Sequence, residues 1–179
     1  MGDTQRRRIE EIALREIAVI LVLMAVAVVQ SAILIRPLGL TINVLLLLTI
    51  CYTLLGGVGR AARWAFYGGL WLDLCSFGPI GLHPLALLGA AMAVGTLFGS
   101  FSRSNWLVPL GAALAGSVIY TLILGALTHA LVAPLDVQHY IVAAALPDLV
   151  TTLIPALPLY LLMRIWMQAR RSENHTDVL

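Results

Sequence analysis

Apolar runs of near-membrane length, parted only by short breaks carrying arginine, proline or glycine, recur from Ile17 to Met167 and limit the fold more than any other feature. A helix rises about 1.5 Å per residue, so roughly 20 apolar residues cover the roughly 30 Å hydrocarbon core of a bilayer. That ruler predicts six spans, at about 17–35, 40–56, 64–76, 82–101, 106–132 and within 140–167. Composition agrees, since a chain that is 60% hydrophobic and 11% charged, with a mean hydropathy of +0.95, has too little polar surface to clothe a water-soluble core. The expected fold is all-α: a polytopic bundle of six transmembrane helices forming one domain over residues 1–179. Residues 1–16 are read as a basic cytoplasmic segment and 172–179 as a short, polar, disordered tail.

All eleven cations are arginine, and their placement says more than the net charge of +2. Arg6, Arg7, Arg8 and Arg15 precede the first span, Arg60 and Arg63 separate the second from the third, and Arg103 follows the fourth. Arg164, Arg170 and Arg171 close the last, so only Arg36 falls on the opposite face. The positive-inside rule makes the arginine-rich face cytoplasmic, with both chain ends on it, and Trp64, Trp106 and Trp166 fall at the same interface. A bacterial inner, or cytoplasmic, membrane is the expected location.

The break around LDLCSFGPIGLH, residues 72–83, is the chain's most unusual local feature. Counting from Arg63, Asp73 lies roughly 15 Å along the helix, where a carboxylate costs about 2.5–3.5 kcal/mol unless protonated or partnered. Gly78, Pro79 and Gly81 then end the helix in a tight reversal. That reversal makes a hairpin in which His83 comes level with Asp73 and can share a hydrogen bond with it. The alternative is that Asp73 caps loosened backbone donors at the turn while His83 points to water.

Other polar positions read more plainly. Asp148 after Pro147 is a helix-start pattern, and Pro155 and Pro158 should bend the final helix, with 140–146 an interfacial or re-entrant piece. Gln30, Asn43 and Thr128 are expected to bond to neighbouring helices. His129, His139 and Asp136 invite a metal reading, but their spacing around a proline fixes no ligand geometry. Cys51 and Cys75 have no ligand or disulfide spacing, and no metal or cofactor is expected. Small residues recur every four positions at Ala91, Gly95 and Gly99 and at Ala112 and Gly116, faces that allow close helix packing within the chain or against a partner.

Six spans with both ends inside, together with Gly69, Leu70, Asp73 and Leu74 followed by Gly78, Pro79, Gly81, Leu82 and His83, resemble the rod-shape-determining MreD family of bacteria. The resemblance implies a non-enzymatic subunit of the cell-elongation machinery that supports peptidoglycan synthesis and cell shape. Its implied partners are the transmembrane helix of MreC, RodA with its transpeptidase partner, and MreB indirectly, within the lipid bilayer and without nucleic acid; self-association stays open. Gly69, Asp73, Gly78, Pro79, Gly81 and His83 are then the motif that organises the partner-binding shape.

The family is also similar in architecture to the S components of energy-coupling-factor transporters, which makes a vitamin-like carrier the second hypothesis. Against it, Ala25, Ala27 and Ala32 do not form the small-residue series those proteins use for docking, and few polar residues fall where a pocket is needed. A third hypothesis, an intramembrane enzyme using Asp73 and His83 as acid and base, lacks a nucleophile, a second acid or a metal set.

Overall fold

The computed structural model describes residues 3–33, 42–76, 79–101, 107–132, 140–142 and 146–176. Every regular element among them is helical: α1 (Asp3–Ile33), α2 (Val44–Gly56), α3 (Val58–Ser76), α4 (Leu82–Phe98), α5 (Leu107–Leu131), α6 (Leu146–Leu153) and α7 (Ala156–Thr176). The fold is therefore all-α.

By length and composition α5 can cross a hydrocarbon layer, and α6 with α7 forms a second candidate, bent by 46° at a short break. The bend falls where Pro155 and Pro158 remove helical donors, as their chemistry predicts. The apolar stretches of α1, α2 and α4 are shorter than a full span. At 13 residues, α2 is only about 20 Å long.

Several boundaries differ from the expected ones. Helix α3 begins at Val58, because Gly57 alone, at φ +87°, turns the chain out of α2. The Tyr52 and Trp64 rings stack across that corner at 4.3 Å, so Trp64 packs inside the fold, in the second turn of α3 and not at its start. Helix α1 reaches back to Asp3, which joins residues 3–16 of the basic segment to the first apolar stretch in one helix. Helix α7 continues to Thr176, where a disordered tail from Ser172 was expected. Alanine, arginine and glutamate favour helix, and neither proline nor glycine follows Pro158 to stop it.

At the centre lies α2, packed against α1, α3, α4, α5 and α7. Leu45, Leu46, Leu47, Ile50, Leu54 and Leu55 are buried around its circumference, the signature of a helix enclosed by others. Its threonines cause no polar deficit, because Thr49 and Thr53 donate to the Leu45 and Thr49 carbonyls one turn back, both at 2.8 Å. Around this axis the outer helices expose apolar side chains, among them Leu21, Val22, Leu85, Met92, Leu114 and Leu122.

Candidate functional site

One end of the bundle gathers the end of α1, the start of α2, the end of α3, and the starts of α4 and α6. Two helix N-termini there are closed by side chains. The Asn43 Oδ1 accepts from Leu46 N at 3.0 Å as the N-cap of α2, and Gln30 Oε1 reaches across from α1 to accept from Leu45 N at 3.1 Å. Gln30 Nε2 also donates to Asn43 Oδ1 at 3.3 Å, so the expected interhelical role of both amides is met by one joint cap.

The start of α4 is closed by Asp73. Its carboxylate accepts from Gly81 N at 2.5 Å through Oδ2 and from His83 N at 3.1 Å through Oδ1. The His83 ring brings Nδ1 within 2.6 Å of the same Oδ1. The two readings of Asp73, imidazole partner and backbone cap, thus hold together, and His83 does not turn out to water. Asp73 is 2% exposed and lies in the last turn of α3, whose end at Ser76 is where the sequence places it.

Two glycines make this geometry available. Gly81 has φ +110°, a left-handed conformation in which a side chain is strained. A Cβ on Gly69 would meet Pro84 N at 2.4 Å and Pro84 Cα at 2.5 Å, so only glycine lets α3 lie this close to the first turn of α4. Pro79 is exposed in the turn, and Gly78 lies outside the described residues.

The small-residue faces pack internally. Ala91 and Ala112 are fully buried, Gly95 sits against Val58 and Thr53, and Gly116 against Ile50 and Val94. Gly99 is exposed at the end of α4. Asp136 and His139 lie outside the described residues, while His129 borders an apolar groove of about 510 Å³ between α5 and Tyr140, Ile141, Leu146 and Leu149. Among the described residues no three His, Cys, Asp or Glu side chains come together as a metal set.

Beside the Asp73–His83 pair opens a cleft of about 320 Å³, lined by Gln30, Asn43, Ser76, His83, Tyr120 and Asp148 among others. Polar side chains from several helices thus gather at this end of the bundle, although most of the lining surface is apolar. Tyr120 was missed because it lies within an apolar run; it is 4% exposed, and its ring centroid is 6.4 Å from that of His83. Asp148 is in the first turn of α6, as its Pro-Asp pattern indicates, and also faces this cleft. No family model, curated protein or solved structure matches the chain.

Proposed function

We propose that this chain is a non-catalytic, multi-pass membrane scaffold of the MreD type. It crosses the bacterial inner membrane six times with both ends in the cytoplasm. In this reading it holds the transmembrane helix of a single-pass partner, MreC, alongside RodA and its transpeptidase partner, with MreB engaged indirectly. The observation that carries the reading is that apolar side chains cover the outside of the bundle as well as filling its core. Asn43, Thr49, Thr53 and Asp73 are buried, while leucine, isoleucine, valine and methionine face outward from α1, α4 and α5. Exposed apolar surface on this scale is costly in water and natural against lipid or another helix. The hydrogen bonds of Asp73 are spent on backbone donors and one imidazole, which supports an architectural role over acid–base chemistry.

Short spans such as α2 are compatible with this reading because α2 is enclosed by other helices and meets no lipid along most of its length. Extraction from native membranes in mild detergent tests it. A single-pass membrane protein should copurify in stoichiometric amount, and cysteines placed on the outward faces of α1, α4 and α5 should crosslink to it on one face only. Recovery of the chain with no such partner overturns the scaffold. The second reading, a small-molecule carrier, takes its support from the polar cleft.

A further inference from the structure

Helix α6 stands between two cavities. Its Leu146 and Leu149 line the apolar groove of about 510 Å³, while Asp148 lines the cleft of about 320 Å³, so one helix of 8 residues forms the partition. Only Thr151 and Thr152 are buried in it, and Val150 is 58% exposed. A wall with space on both sides has fewer packed neighbours to hold it than a helix in a close-packed interior.

The join to α7 is built to bend. Pro155 has no N–H to give the Thr151 carbonyl, and Pro158 has none for that of Ile154, so two helical bonds are missing where the axis turns by 46°. Beyond the bend the ladder resumes at once, with Leu159 N donating to Pro155 O at 3.0 Å. Before it, Thr151 Oγ1 donates within α6, to Pro147 O at 2.9 Å and Asp148 O at 3.1 Å, bonds that a rigid movement of the helix preserves. Thr152 differs from its neighbour. It is 1% exposed, and among the described residues its hydroxyl has no hydrogen-bond partner. A buried hydroxyl without a partner opposes the position that buries it, and turning out of the interior relieves that cost.

We propose that α6 is a hinged gate. It swings about Pro155 between the closed position described here, which parts the cleft from the groove, and an open one in which the two spaces join. The open position gives the cleft a lateral entrance through the groove, whose wall includes the exposed Leu122 and Ile141. The inference goes beyond the scaffold reading and is separable from it, since α1 or α4 can hold a partner helix whether or not α6 moves.

Distances between nitroxide labels on the full chain in nanodiscs test the proposal. In a chain whose Cys51 and Cys75 are changed to alanine, labels at Val150→Cys on α6 and Leu85→Cys on α4, both exposed sites, should give two distance populations. A reference pair at Leu114→Cys on α5 and Leu85→Cys should give one. Pro155→Ala restores a donor to the Thr151 carbonyl and should merge the two α4–α6 populations into one. Thr152→Val removes the unpartnered hydroxyl at nearly constant volume and should raise the closed-to-open ratio about fivefold or more, so the proposal does not depend on Pro155→Ala folding. A single narrow α4–α6 distance in the parent chain, or two populations that neither substitution shifts, overturns it.

Discussion

Asp73 is the residue on which the α3–α4 hairpin turns, and its three bonds can be ranked by what replaces them. Removing the carboxylate strands two backbone donors, Gly81 N and His83 N, at about 1–3 kcal/mol for each donor left buried without a partner. His83→Ala deletes only the ring contact and leaves the backbone bond from the same residue in place. Thermal unfolding in mild detergent should therefore show a larger loss of stability for Asp73→Ala than for His83→Ala, with Asp73→Asn between them. A loss in His83→Ala that matches or exceeds that of Asp73→Ala would mean that the imidazole, and not the turn, is what the acid holds. The pair was legible in the sequence because its parts are close along the chain: an acid, a Gly-Pro-Ile-Gly reversal and a histidine fix equal depths across a hairpin. The cleft beside it was not, because its lining comes from six helices or their flanks, and no local pattern marks Tyr120 as the one that turns inward.

Between elements, the glycines decide how closely helices pass, and they are not equivalent. At Gly69 the atoms a methyl would meet belong to the backbone of Pro84, which cannot rotate aside. At Gly116 the nearest atom is the Cδ1 of Ile50, at 2.4 Å, the far end of a flexible side chain. Overpacking typically costs about 1–3 kcal/mol, and Gly69→Ala should reach or exceed the top of that range while Gly116→Ala stays near the bottom. Denaturant or thermal unfolding of the two variants checks the order, and similar losses would show that α3 and α4 can separate without penalty. The four-residue spacing revealed that close contacts exist but not their partners. Gly95 meets the Val58 and Thr53 side chains near the α2–α3 corner, an arrangement set by Gly57, whose left-handed turn lets α3 start one residue after α2 ends. Helix ends were similarly hard to place, because an apolar ruler measures lipid-compatible residues and is blind to a helix that runs on through arginine, as α1 and α7 do.

For the whole molecule, orientation is the property from which the functional reading draws its geography. Arg60 and Arg63 mark the start of α3, and Arg63 pairs with Glu16 of α1. Ile80, 72% exposed, lies in the turn at the other end of the same helix. If α3 crosses the membrane in the direction its arginines dictate, these two positions lie on opposite sides, although α3 carries too much charge and glycine to register as a span by hydropathy. Such a crossing would depend on the neighbours: Asp73 is sealed against α4, and Gly68 and Gly69 lie against Leu45 and Pro84. With Cys51 and Cys75 replaced by alanine, Ile80→Cys should react with a membrane-impermeant maleimide in intact spheroplasts, and Arg60→Cys only after permeabilisation. Labelling of both positions from the outside, or of neither before lysis, would place the α3–α4 hairpin on one face of the bilayer and remove the six-crossing arrangement on which a partner-holding scaffold depends.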